Sequence, residues 1–129
     1  MVVGFTGTQD GMTKTQLYSF IEVLDGTDIA KFHHGDCWGA DAQAHHLVRA
    51  LTQASIITHP PSNSQKRAFV EADDILPCKD YLKRNRDIVD ACDVLIATPK
   101  TREEERRSGT WSTVRYARNK KKKVIIIYP

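Results

Sequence analysis

Short apolar runs alternating with helix-period segments predict an α/β fold. The expected form is a Rossmann-like doubly wound parallel sheet of about five strands with helices on both faces. Five runs, at 1–6, 29–34, 55–58, 93–98 and 124–128, combine β-branched or aromatic residues with a turn signal where each stops. Between them lie segments whose apolar residues recur three or four positions apart. Size agrees: 129 residues, 40% of them hydrophobic, fit a single domain over 1–129 around one core.

The elements follow in order. The first strand, 1–6, closes at Gly7-Thr8-Gln9-Asp10-Gly11. Thr13 caps a helix in which Leu17, Phe20, Ile21 and Leu24 share one face, and Asp25-Gly26 ends it. The second strand, 29–34, runs into Gly35-Asp36-Cys37-Trp38-Gly39. A helix from about Ala40 is expected to bury Ala44, Leu47, Val48 and Leu51. The third strand is cut by His59-Pro60-Pro61. Residues 62–79 are polar and aperiodic, which predicts a loop with one helical turn at most. Asp80 caps a helix reaching Ala91, with Tyr81, Ile88, Val89 and Cys92 turned inward. The fourth strand, a charged loop at 99–107, a helix at 109–119 and the fifth strand complete the chain. Lys120, Lys121, Lys122 and Lys123 read as a solvated helix end, where cations suit the helix dipole. Right-handed crossovers make the sheet doubly wound.

With 27% charged residues and no apolar run near the roughly 18 residues a membrane span needs, the composition describes a soluble domain without a membrane partner. The N-terminus lacks the charged start and long apolar stretch of a signal peptide, so a cytoplasmic location is expected. Cys37, Cys78 and Cys92 form no CxxC pair and are odd in number, which favours reduced thiols. Net charge is +3, unevenly spread: three Lys/Arg face six Asp/Glu in residues 1–60, and sixteen face ten beyond. The basic half suits a phosphate-bearing partner or a solubilising surface.

In a parallel sheet of this kind, ligands bind beyond the carboxyl ends of the strands. Those ends hold Gly7, Thr8 and Gln9, then Gly35, Asp36, Cys37, Trp38 and Gly39, then Thr98, and finally Ser108, Gly109 and Thr110 at a helix start. Glycines there let backbone approach a ligand or simply make turns. Ser108, Thr110 and nearby amides suit phosphate oxygens. Asp41, His45 and Arg49 share one helix face, and Asp41, in the first turn, is placed to accept from a ribose or base, to transfer a proton, or only to favour the dipole. Arg84 and Arg86 oppose the dipole at a helix start, so they serve an anion or pair with Asp80, Asp87 or Asp90. Trp38 and Trp111 stack on a base or fill the core. His33, His34, Cys37, His45 and His46 match no standard zinc spacing, and no metal site is expected.

These residues resemble the SLOG group of Rossmann-like nucleotide-binding domains. The group includes the DNA-processing protein A family, the Lonely Guy phosphoribohydrolases and the molybdenum-cofactor-carrier-like proteins. The resemblance is carried by Gly7-Thr8, by Gly35-Asp36-Cys37-Trp38-Gly39-Ala40-Asp41 with Ala44-His45, and by Arg84-Asn85-Arg86. The Asp93-led strand, Arg107-Ser108-Gly109-Thr110 with Thr113, and the closing strand to Pro129 complete it. It implies a nucleotide or nucleotide-derived ligand and a homo-oligomer. The phosphoribohydrolases carry a catalytic Glu where this chain has Thr113, while the position of their catalytic Arg is Arg84. Loss of that Glu favours binding over turnover. DNA-processing proteins have further flanking domains, and 129 residues are expected to hold the core domain alone.

Binding of a nucleotide-type ligand is therefore the leading expectation. A hydrolase cleaving an N-glycosidic or phosphoester bond, with Asp36 or Asp41 as acid/base and Arg84 assisting, is the alternative. Single-stranded nucleic-acid binding through the basic half is the third.

Overall fold

The computed structural model describes all residues, 1–129. Six strands form one parallel sheet: β1 (Val2–Gly7), β2 (Lys31–His34), β3 (Ser55–Thr58), β4 (Asp74–Ile75), β5 (Val94–Thr98) and β6 (Lys123–Ile126). Four helices connect them: α1 (Lys14–Asp25), α2 (Ala40–Leu51), α3 (Tyr81–Ala91) and α4 (Gly109–Asn119). The strand order is β4-β3-β2-β1-β5-β6. The chain winds outward from β1 to β4, then returns to β1's other side for β5 and β6. That reversal defines the doubly wound topology.

Alternation along the strands explains the two layers. Val3 and Phe5 of β1, Phe32 of β2, Ile56 of β3 and Ile96 of β5 pack with Phe20 and Leu24 of α1 and with Ala40, Ala44 and Val48 of α2. Leu95 and Ala97, from the opposite face of β5, pack with Ile88 and Val89 of α3 and with Trp111, Val114 and Ala117 of α4. Phe5, Phe20 and Phe32 meet at ring-centroid separations of 5.4 to 6.3 Å. Truncating fully buried Phe20 to Ala removes that centre at a cost of about 3–5 kcal/mol.

Helix starts follow their caps. Thr13 and Gln16 form a reciprocal capping box on α1, Asp80 accepts from the Lys83 amide on α3, and Ser108 accepts from the Trp111 amide on α4.

Several expectations need correction. The sixth strand, β4, is two exposed residues inside the polar 62–79 segment, too short to leave a period. That segment's single helical turn is a 3₁₀ turn at Ser64–Lys66. The second strand starts at Lys31, although Ile29 is buried just before it. The last strand spans Lys123–Ile126, and Tyr128 lies beyond it and is exposed. Leu51 and Tyr81, expected to face inward, are exposed because each sits at a helix end beyond the sheet's cover. The lysine run is more than a solvated helix end. Lys120 caps α4, Lys121 takes a left-handed turn, Lys122 donates to the Cys92 carbonyl and Lys123 opens β6.

Candidate functional site

A cavity of about 710 Å³ opens at the carboxyl edge of the sheet. Its walls are the β1 end, the turn after β2, the first residues of α3 and the start of α4. It sits where the strand order reverses between β1 and β5, the usual ligand crevice of an open parallel sheet.

The floor is built around Arg84 and Asp41, both buried. Arg84 projects from α3, and its Nη1 donates to the Gly35 carbonyl at 2.6 Å and to the His59 carbonyl at 3.3 Å. The Cys37 sulfur lies 3.6 Å from both of its terminal nitrogens. No carboxylate pairs with Arg84, and its Nε has no partner in the protein. The Asp80, Asp87 or Asp90 salt bridge open to Arg84 and Arg86 in the sequence is thus absent. Asp41, in the first turn of α2, accepts from the Cys37 amide at 3.2 Å. Burial pushes its carboxyl up to about 6, while the Arg84 guanidinium and the Cys37 amide hold it from rising further. The Cys37 thiol is also raised, by burial first and by Asp41 second, so it stays protonated at neutral pH.

One rim carries Lys66, Lys100 and Arg107; Lys100 forms an exposed pair with Asp10 at 2.9 Å. The start of α4, directly after Arg107, forms one wall, where Ser108, Gly109 and Thr110 line the cavity. Tyr81 closes the mouth. Its ring lies 5.0 Å from the Arg84 guanidinium carbon and 5.7 Å from Lys66 Nζ, and its hydroxyl accepts from Gln9 Nε2 at 3.3 Å.

The cavity brings together Gly7, Thr8, Gln9, Gly35, Cys37 and Asp41 with Arg84, Ser108, Gly109 and Thr110. It leaves out five expected residues. Asp36 turns away, its carboxylate accepting from Arg67 Nε at 2.7 Å and from the Val70 amide at 3.1 Å. Trp38 is exposed and donates its indole N–H to the Arg67 carbonyl. Gly39 packs against the Gln9 carbonyl at φ 78°, a conformation and a closeness that exclude a side chain. Thr98 is buried beside Gly7, its hydroxyl unpartnered. Arg86 lies over the Tyr116 ring in a separate groove between α3 and α4. Trp111 belongs to the core. Thr113 lines that same α3–α4 groove, with its hydroxyl donating to the Gly109 carbonyl.

The glycines also separate. A side chain at Gly7 or Gly35 would meet protein atoms, whereas a Cβ at Gly109 meets nothing within 4 Å. Only Gly109 leaves free space at the cavity wall.

The histidines pair with one another. His33 Nδ1 lies 2.8 Å from His59 Nε2, and His34 Nε2 lies 3.0 Å from His45 Nδ1. Arg49, on the Asp41 face of α2, bonds Asp73 instead of the site. No three His, Cys, Asp or Glu side chains converge as a metal-holding group.

Lys66, Tyr81 and Asn85 were missed by sequence reasoning as site residues. Lys66 arrives from the aperiodic loop, and Tyr81 and Asn85 flank Arg84 on α3. The Arg84-Asn85-Arg86 run held the one available signal, since it placed the start of α3 at the site.

No protein-family model matches the sequence, and no curated protein does. Solved structures do. A molybdenum cofactor binding protein from the phototrophic bacterium Rippkaea orientalis superposes with a TM-score of 0.75 at 22% identity, covering 99% of this chain and 76% of that one. The Moco carrier protein of Chlamydomonas reinhardtii superposes at 0.68 with 19% identity, covering 99% and 76%. DNA processing protein A from Streptococcus pneumoniae gives 0.69 at 19% identity, covering 96% of this chain and 49% of that one. This chain has the Rossmann-like fold of these structures. It spans about half the length of the DNA processing protein. None of its helices is long and apolar enough to cross a membrane.

Proposed function

We propose that this SLOG-like domain binds a nucleotide or nucleotide-derived ligand in the cavity at the carboxyl edge of the sheet. The observation that carries the reading is the cavity's place at the strand-order reversal, with the α4 start as a wall and open space at Gly109. Phosphate meets the Gly109 and Thr110 amides, with Lys66, Lys100 and Arg107 at the rim. The buried Arg84 guanidinium supplies positive charge at the floor, and Asp41 accepts from a ribose hydroxyl or a base N–H. Tyr81 takes the stacking role expected of Trp38 or Trp111. That the similar structures include a molybdenum cofactor binding protein and a DNA processing protein supports an anionic ligand.

Calorimetry and thermal shift against mononucleotides, cyclic dinucleotides, ADP-ribose-type ligands and a single-stranded oligonucleotide test this. Saturable binding by at least one is expected, with oligonucleotide affinity falling steeply with salt. Silence across the panel from a folded sample overturns the reading. Gel filtration sizes the homo-oligomer that belongs to the same proposal.

One observation favours a second reading, hydrolysis of the bound nucleotide. A carboxyl titrating at about 6 inside a ligand cavity is poised for proton transfer near neutral pH. Release of base or phosphate that Asp41→Asn abolishes while binding persists supports it; turnover untouched by that substitution removes Asp41 from the role.

A further inference from the structure

The Gly35-Asp36-Cys37 turn beneath the cavity is held by a hydrogen-bond chain that runs through two buried histidines. The Asp36 amide donates to His34 Nδ1 at 3.0 Å, so that nitrogen carries no proton. The His34 proton therefore sits on Nε2 and is donated to His45 Nδ1, 3.0 Å away. The His45 proton then sits on its own Nε2. Both rings are buried, at 0% and 3% exposure.

Such a chain has no vacant acceptor. A proton added to His34 turns Nδ1–H against the Asp36 amide. One added to His45 turns Nδ1–H against the Nε2–H of His34. Either way a donor faces a donor at hydrogen-bond distance.

The turn fastens two parts of the cavity. Asp36 holds a left-handed φ of 54°, a costly conformation outside glycine, and so depends on its bonds. Its carbonyl accepts from the Ala68 amide at 2.8 Å, and its carboxylate holds Arg67 and the Val70 amide. These bonds anchor the strap at 64–72, whose Lys66 lines the cavity. On the other side, the Gly35 carbonyl holds Arg84 and the Cys37 amide holds Asp41.

We propose that His34 and His45 are positioning residues for the cavity: as a neutral, tautomer-locked pair they hold the turn, and one proton entering the pair releases the strap that carries Lys66. The consequence for ligand affinity rests on the cavity reading above; the release itself does not.

The surroundings keep the pair neutral. Burial lowers His34 well below the ordinary imidazole range, and His45, His59, Arg84 and His33, from α2, the β3 end, α3 and β2, push the same way. Burial also lowers His45, with Arg49 and His46 adding to it, while Asp36 and the Glu71 carbonyl oppose. Both folded values lie below 6.5, so the chain is intact above that pH and is lost as pH falls.

Imidazole ¹⁵N spectroscopy and hydrogen exchange test the proposal on the intact chain. At pH 7.5 both rings are expected as neutral Nε2–H tautomers. On acidification below pH 6.5, the Ala68 and Val70 amides are expected to exchange at least tenfold faster, after correction for intrinsic rates, in step with the ring signals. The β1 and β5 amides stay protected. Asp41 titrates at about 6, also on the acid side of neutrality, so the measurement is repeated in Asp41→Asn, where strap release persists. His45→Asn offers an oxygen to the His34 proton without titrating, so strap release in that variant is expected to follow the His34 ring signal alone, and release that does not follow it overturns the proposal. If that variant does not fold, the wild-type titration decides alone. An Nδ1–H tautomer at pH 7.5, strap amides that stay protected while the rings titrate, or release lost in Asp41→Asn overturns the proposal. Release without any panel ligand sinks the cavity reading and leaves the positioning role standing. Where a ligand is found, its affinity is expected to fall at least tenfold once the ring signals show the pair protonated.

Discussion

A Cβ added to Gly35 would overlap Nη1 of Arg84 and lie 2.9 Å from a carboxylate oxygen of Asp41. The missing side chain at position 35 is what admits a cation and a carboxyl to one cavity floor. Gly35→Ala therefore has to expel the guanidinium. Overpacking of this kind costs about 1–3 kcal/mol. Urea denaturation is expected to show that loss, and ligand affinity falls with it because Arg84 leaves the cavity. Unchanged stability and binding would mean that the Arg84 head moves freely.

Arg84 also sets the charge of Asp41. Burial raises that carboxyl to about 6, and the guanidinium is the largest influence opposing the rise. Arg84→Met removes it, so the Asp41 carboxyl is expected to titrate above 6, read by ¹³C carboxyl NMR. Affinity for an anionic ligand falls about 10- to 150-fold, the equivalent of one charged hydrogen bond worth about 1.5–3 kcal/mol. An Asp41 midpoint that does not move would show that desolvation alone controls it.

Stability should fall in acid through the histidines. His33, His34, His45 and His59 all have lowered folded values, chiefly through burial, and His59 reaches about 4. Each contributes stability that is present above 6.5 and lost as pH falls through its folded value. Asp41 runs the other way. Raised from 3.8 to about 6, its stabilising contribution is complete below 3.8 and disappears as pH rises through 6. Four groups outweigh one, so the melting temperature drops between pH 6.5 and pH 4. Asp41→Asn removes the opposing charge and is expected to raise the melting temperature at pH 7.5 but not at pH 4, while weakening ligand binding. A melting temperature that rises on acidification from pH 6.5 would reverse the assignment.

The fold was legible because strands buried on both faces leave dense apolar runs, such as Val94 to Ala97, and because Thr13 and Asp80 cap as their spacing promised. The edge strand at Asp74–Ile75 was not, since two exposed residues make no period. Within the site, position along the chain marked the strand ends, yet direction within a turn was invisible. Asp36 and Asp41 look alike in sequence, but the left-handed φ at Asp36 aims its carboxylate at Arg67 instead of the cavity. Gly7, Gly35 and Gly109 also look alike, and only Gly109 faces open space. Lys66 and Tyr81 escaped because their roles depend on a contact between a loop and a helix start.

The α4 start allows stability and binding to be separated. Ser108 uses its hydroxyl to cap the Trp111 amide at 3.2 Å, so Ser108→Ala is expected to cost about 1 kcal/mol of stability. Gly109 is the first helical residue and its added Cβ meets no protein atom. Gly109→Ala therefore relieves backbone entropy and raises stability by up to about 1 kcal/mol. The same methyl group stands where a phosphate would approach the helix amides, so affinity should fall. A variant that is more stable and binds less tightly identifies the open wall as ligand space. Equal affinity in Gly109→Ala would instead place the anion elsewhere along the rim, nearer Lys66 and Arg107.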